Sequence, residues 1–233
     1  MIKADESRNL ECPLKESGCP LVDELRLVKE EVRRLEDLSY MDTLTGYFNY
    51  RYLLTALEAE MERSRRTGLS TGLIMVDLDH FKGINDEFGH ENGNLVLQRS
   101  SELWRKNLRR IDVPCRYGGE EFVIILPGSR LSQSVNVAER LRLVLESSPI
   151  TLDGKPVKVT ASFGVDSYSR RENVSVEEFI KRTDDFLLEA KAAGRNSVCY
   201  DRQKTIINET EITGDEREAL YGTVGFGNEG SKS

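Results

Sequence analysis

Two acidic pairs in this chain sit where carboxylates can do chemistry. Glu120 and Glu121 follow Gly118 and Gly119 and lead into the apolar run Phe122-Val123-Ile124-Ile125-Leu126. Asp77 and Asp79 end a second apolar run, which starts at Leu73 and includes Leu78. A Gly pair between polar residues and a β-branched run predicts a tight hairpin turn feeding a buried strand. Successive residues of extended backbone point to opposite faces, so one Glu can enter a site while the other is tied into its support. Two strands that each bring a carboxylate to one end of a sheet offer hard oxygen donors, which select Mg²⁺ or a similar ion. The same residues also suit two solvated turns, where Asp, Glu and Gly are common.

Beyond Asp79 the stretch His80-Phe81-Lys82-Gly83-Ile84-Asn85 predicts a strand-to-helix junction, whose free N–H groups could hold phosphate with help from Lys82. His80 and His90 lack metal-ligand spacing and are expected to be structural. The four cysteines lack a paired C-x-x-C spacing, which argues against a structural zinc site. Cys115 and Cys199 belong with apolar strands. Cys12 and Cys19 each precede a proline and leave a redox pair, a metal or haem contact, or no role open.

The elements that must position these residues come from a chain of 233 residues with 38% hydrophobic content, enough for one core plus appendages. A net charge of −7 argues against a nucleic-acid or anionic-membrane partner held by bulk electrostatics. Any phosphate ligand must then be gripped locally. No run reaches membrane-spanning length and the N-terminus lacks a signal-peptide core, so a cytoplasmic protein is expected.

Residues 1–20 read as a loose Cys- and Pro-containing lead. Over 21–40, Leu21, Leu25, Val28, Val32 and Leu35 recur at alternating spacings of four and three, a helical seam for dimerisation or for packing on its own domain. The domain proper is expected over 41–203. Helices are predicted over 51–66, 95–108, 132–147 and 176–193, and strands over 73–78, 157–165 and 197–200, together with the hairpin. Residues 204–233 read as a disordered tail. This order implies an α/β sandwich with a mixed central sheet and flanking helices, rather than a doubly wound one.

Six stretches in order resemble the GGDEF family of bacterial diguanylate cyclases: D-T-L-T-G-Y-F-N at 42–49, D-L-D-H-F-K-G-I-N-D at 77–86, G-H-E-N-G at 89–93, G-G-E-E-F at 118–122, S-F-G-V at 162–165 and A-K-A-A-G-R-N at 190–196. The resemblance implies that a homodimer makes cyclic di-GMP from two GTP, each 3′-hydroxyl attacking the other nucleotide's α-phosphate. It implies two divalent ions per site, Mg²⁺ or Mn²⁺, on Asp77, the carbonyl of Leu78 and Glu120. Glu120 would also accept a proton and Glu121 would support the site. Phe81 and Lys82 would lie on the phosphates, Lys191 and Arg195 would grip the triphosphate, and Asn85 and position 94 would read guanine.

Position 94 departs from the family, which has Asp where this chain has Asn94. A carboxylate accepts both donors of the guanine edge, whereas an amide offers one acceptor and one donor. This opens an alternative in which ATP is also used and some cyclic GMP-AMP is formed. Arg109 and Asp112 match the family's R-x-x-D product-inhibition motif, with Arg140 as a secondary arginine; a surface ion pair is the simpler reading. A further alternative is an inactive domain that binds cyclic di-GMP as a receptor.

Overall fold

The computed structural model describes residues 40–203 and, before them, residues 24, 25, 27–30 and 35, which are helical. Two units are distinguished, Met1–Met41 and Asp42–Ser233. In the first, Leu25, Val28 and Leu35 of the expected seam are helical and exposed. The expected lead at 1–20 with Cys12 and Cys19, the seam residues Leu21 and Val32, and the tail at 204–233 lie outside the described residues.

The second unit begins with helix α1 (Tyr50–Thr67), capped by the Asn49 side chain on the Tyr52 N–H and stopped by Gly68 in left-handed conformation. Strand β1 (Thr71–Leu78) leads into α2 (Phe81–Arg105), then the hairpin of β2 (Val113–Gly118) and β3 (Glu121–Leu126). Helix α3 (Leu131–Glu146), the small hairpin of β4 (Ile150–Leu152) and β5 (Lys155–Val157), β6 (Ala161–Tyr168), α4 (Val176–Ala192) and β7 (Val198–Tyr200) follow. The main sheet has the order β2-β3-β1-β6-β7. All its pairings are antiparallel except β6 with β7, so the sheet is mixed as expected.

Every residue of β1 and β6 is buried, because both strands are central and both faces of the sheet are covered. The alternation survives as a choice of face. Leu73 and Met75 pack with Leu53, Leu57 and Met61 of α1 and Phe179 and Leu187 of α4. Ile74, Val76 and Leu78 pack on the other side with Val96, Leu97 and Trp104 of α2 and Leu141 and Leu145 of α3. The indole N–H of Trp104 donates to the Leu141 carbonyl at 3.2 Å, which lets the largest side chain sit fully buried.

Two sequence expectations are corrected. The helix expected over 95–108 begins at Phe81, and the stretch expected as a junction is its first half, with Gly89 as a break at φ 82 and ψ 163. Three glycines in this segment depress helix propensity enough to hide it. The strand expected over 157–165 is two strands: Lys155–Val157 pairs with β4, and Ala161–Tyr168 pairs with β1. Val159, Ala161, Phe163 and Val165 share one apolar cluster, so the alternation runs through while the hydrogen-bond partner changes.

Gly164 sets how closely α4 approaches β6. A Cβ there would lie 2.2 Å from the Thr183 carbonyl oxygen and 2.4 Å from the Leu187 nitrogen, both backbone atoms that cannot swing aside. Gly164→Ala is therefore expected to destabilise the domain by roughly 1–3 kcal/mol or to prevent folding, as overpacking does. A thermal melt matching that of the parent would show that the helix has room to retreat.

Candidate functional site

The antiparallel register of β1 on β3 puts Asp77 directly opposite Glu121. Residues paired across antiparallel strands share a face and hold their Cβ atoms about 4.5–5.5 Å apart, so two carboxylates crowd one sheet edge. The ammonium of Lys191, in the last turn of α4, meets Asp77 Oδ2 at 2.8 Å. Asp184 lies two turns earlier on the same helix, and its charge reaches Asp77, Glu121 and Lys191. Burial holds the Asp77 carboxyl above its usual range, against the opposing pull of Lys191. Glu121 is likewise raised, by burial first and then by the charges of Asp77, Asp184 and Glu120. Asp184 is also raised, chiefly by burial.

Glu120 sits in the turn between β2 and β3, after Gly119 at φ 43. A Gly with positive φ at the first central position of a two-residue loop fits the twist of the flanking strands. The turn is held by a nearby arginine that is itself anchored far away in sequence. Arg116 donates from Nε and Nη2 to the Gly119 carbonyl at 3.1 and 2.7 Å, and from Nη1 to both oxygens of Asp42 at 3.3 and 3.1 Å. Asp42 Oδ1 also accepts from the Thr45 N–H and hydroxyl, and these partners hold its carboxyl below the usual range although burial opposes them. The Leu78 N–H donates to the Glu120 carbonyl at 3.4 Å, joining the turn to the end of β1. Asp42 and Arg116 thus position Glu120. Their pairing spans most of the domain's first half in sequence, and it was not anticipated from the sequence.

On the opposite side of the β1 terminus, α2 begins without a side-chain cap, and its first backbone bonds run from the Gly83 and Ile84 N–H groups to the His80 carbonyl. The N–H groups of Phe81 and Lys82 have no acceptor within the helix, as at any helix N-terminus. Phe81 is buried and Lys82 exposed. In an unbroken helix residues 85 and 94 would lie about half a turn apart in projection and face opposite sides. The break at Gly89 folds the segment so that Asn85 Oδ1 would be 1.9 Å from a Cβ at Gly93. Any side chain at 93 would push Asn85 aside, so the second glycine of G-H-E-N-G seats the amide. Asn94 follows, exposed.

Asp79 has a different role from Asp77. It is 5% exposed and accepts from the Thr160 hydroxyl at 2.8 Å, the Ser162 hydroxyl at 2.7 Å and the Asn196 N–H at 2.9 Å. Arg195 and Asn196 both have positive φ, 65 and 43, and Arg195 N–H donates to the Ala190 carbonyl. Asp79 therefore pins the loop that carries Arg195 against the end of β1, where the Arg195 charge acts on Asp77. Sequence reasoning left Asp79 without a role.

Among the described residues no three His, Cys, Asp or Glu side chains converge tightly enough to enclose a metal ion by themselves. The donor set at the β1 end is nonetheless all oxygen and carries like charges packed together, which fits a hard divalent cation completed by carbonyl and phosphate oxygens. On the far edge, Arg109 and Asp112 bracket a turn. The Arg109 N–H donates to Asp112 Oδ2 at 2.7 Å, and Asp112 Oδ1 is buried without a partner. Arg109 is exposed and lines a cleft of about 290 Å³ with Arg63, Thr67 and Ile111. Arg140 donates to the Asn107 carbonyl at 2.9 Å, and its charge also acts on Asp112.

Residues 39–197 match the family model described as the diguanylate cyclase GGDEF domain. Over 164 residues the chain is 40% identical to the response regulator PleD of Caulobacter vibrioides, covering 70% of this chain and 36% of that protein. Among solved structures it is similar to the diguanylate cyclase SiaD from Pseudomonas aeruginosa in complex with its activator SiaC, at 36% identity and a TM-score of 0.66, covering 76% of this chain and 70% of that one. It is also similar to the coiled coil and GGDEF domain of DgcB from Caulobacter crescentus in complex with c-di-GMP, at 25% identity and a TM-score of 0.65, covering 77% of this chain and 94% of that one.

The half-satisfied Asp112 makes a prediction about pH. Burial raises its carboxyl above the ordinary 3.8, so the folded protein binds more protons than the unfolded chain between 3.8 and the raised value. Its contribution to stability therefore falls as pH rises through that window. Asp112→Asn retains an acceptor for the Arg109 N–H and removes the titration. Relative to the parent, its melting temperature should improve from pH 4 to pH 7; a constant difference across that range would contradict the assignment.

Proposed function

Because the chain belongs to the GGDEF-domain family, we propose that it is a diguanylate cyclase that condenses two GTP into cyclic di-GMP with release of pyrophosphate. The observation that carries this reading is the β1 end, where Asp77 stands opposite Glu121 with Lys191 on Asp77 and Glu120 in the adjoining turn. An inactive receptor has no use for this charge arrangement, which is costly without a ligand.

In this reading Asp77, the Leu78 carbonyl and Glu120 would hold divalent ions, Mg²⁺ or Mn²⁺ and two per site, which would lower the hydroxyl's pKa and neutralise developing charge. Lys82, Lys191 and Arg195 bind the triphosphate and stabilise the charge that shifts onto it in the transition state. Phe81 covers the phosphates, and Asn85 and Asn94 read the base. Glu120 takes the proton from the 3′-hydroxyl as its oxygen bonds to the α-phosphorus of the other GTP. The bond from that phosphorus to the β-phosphate bridge breaks, and pyrophosphate leaves with the electron pair. A second, equivalent step closes the ring. Each protomer presents one nucleotide, so a homodimer is required, and the exposed apolar residues Leu25, Val28 and Leu35 on helical backbone support pairing of the N-terminal helices.

The test is purified protein with GTP, ATP and Mg²⁺, with products identified by mass. Cyclic di-GMP is expected from the parent. Glu120→Gln, which keeps the shape and removes the charge, should lower the rate by at least about a hundredfold with an unchanged melting curve. Parental turnover in that variant would remove Glu120 from the chemistry. Mixed products containing adenine that Asn94→Asp suppresses would favour the alternative of relaxed base selectivity, in which losing a bidentate pair costs about 1–3 kcal/mol of discrimination.

Feedback by product is proposed at Arg109, Asp112 and Arg140. The guanidinium of Arg109 can stack on a base or fork onto phosphate, and its exposure beside the Arg63-lined cleft supports that role. Added cyclic di-GMP should slow the parent without competing with GTP, and Arg109→Ala should relieve the slowing. Equal inhibition of variant and parent would exclude this site.

A further inference from the structure

Lys191 makes a contact that competes with the part assigned to it in the reaction. Its ammonium lies 2.8 Å from Asp77 Oδ2. On the reading above, Asp77 must offer its oxygens to a divalent ion while Lys191 must reach phosphate. The ammonium occupies Oδ2 and its charge opposes a cation at either oxygen, so the two roles compete. We propose that Lys191 is an internal counter-ion lock: without nucleotide it occupies Asp77 and holds divalent ions off, and entry of the triphosphate draws it away, so that nucleotide and metal bind cooperatively. This rests on the cyclase reading of the site.

The surroundings suit an exchangeable contact. Both partners come from fixed elements, the end of β1 and the last turn of α4. The lysine stem is flexible and 27% exposed, so the head group can move while both backbones stay in place. Its charge also offsets Glu121 and Asp184, which makes it the shared counter-ion of three crowded carboxylates. Asp79, two residues from Asp77, is held by two hydroxyls and a backbone N–H. Those neutral donors belong to other parts of the fold and cannot leave for a ligand. Of the two aspartates, the one assigned to the metal is the one whose partner can leave. Because coupling between two bound species is reciprocal, a lock that weakens metal binding without nucleotide also ties nucleotide affinity to the metal.

The test is binding of Mn²⁺ alone to the full chain without nucleotide, followed by the electron paramagnetic resonance signal of free Mn²⁺. Lys191→Met should bind about tenfold or more tightly than the parent, since a competing positive charge within a few ångströms is gone. Lys191→Arg should stay as weak as the parent. A purely structural lysine predicts the opposite, weaker binding after its removal. Crowding of three carboxylates could unfold Lys191→Met, so Asp184→Asn/Lys191→Met, with one carboxylate fewer, is measured beside it after circular dichroism confirms the fold. If neither folded variant binds more tightly than its Lys191 counterpart, the lock is overturned. Asp77→Asn/Lys191→Met separates this outcome from failure of the site itself. Loss of binding in that variant alongside parental affinity in Lys191→Met overturns the lock alone, whereas retained tight binding overturns Asp77 as a ligand and the lock with it.

Discussion

The antiparallel register that sets Asp77 across from Glu121 is the constraint on which the rest of the site depends. A slip of one residue would turn every side chain of β3 to the other face, burying Glu121 among α2 and α3 and exposing Phe122 to the charged edge. Two features forbid it. The residues Phe122, Ile124 and Leu126 fill one apolar cluster and Val123 and Ile125 the other, so both faces report the register. The two-residue turn at Gly119 and Glu120 then fixes β2 against β3, and Arg116 fastens that turn to Asp42. The core, in effect, specifies where the carboxylates stand, and their repulsion is tolerated because the strands cannot move apart.

The side proposed for nucleotide uses a different device. Helix α2 would carry Asn85 and Asn94 on opposite faces were it regular, and the break at Gly89 interrupts that projection and sets Asn85 against Gly93. Its φ and ψ fall in a region open essentially to glycine alone. Gly93 then supplies the space that the Asn85 amide occupies. Sheet register positions the acids and a broken helix positions Asn85, and the two elements follow one another at the terminus of β1.

Much of this was legible in the sequence. Strand ends carrying acids, a glycine pair ahead of a β-branched run and amphipathic helix faces each leave a local trace, and those elements lie where they were expected. The first half of α2 was hidden because Gly83, Gly89 and Gly93 erase the propensity signal while the surrounding fold supplies the stability. The change from β5 to β6 was hidden because the apolar residues alternate smoothly through Val159 while hydrogen bonding changes partner. The Arg116–Asp42 clamp and the bonding of Asp79 were out of reach for a third reason: both join residues more than 70 positions apart, and nothing local to either partner records the other.

Asp77 and Asp79 illustrate why residue type alone does not assign a role. They share a strand end, a side-chain chemistry and near-complete burial, and in the sequence they differ only by position. Asp79 meets Thr160, Ser162 and the Asn196 N–H, so its carboxylate is solvated by donors that the fold has already fixed. A carboxylate in that state orders a loop and has little left to offer a ligand. Asp77 faces Glu121 across the sheet and leans on one flexible lysine, so part of its demand for positive charge stays unmet. The difference is written in Thr160, Ser162 and Lys191, each more than 80 positions further along the chain. Which aspartate binds a ligand is therefore decided by what the second and third elements bring to it, and a motif read along the chain records that decision only indirectly.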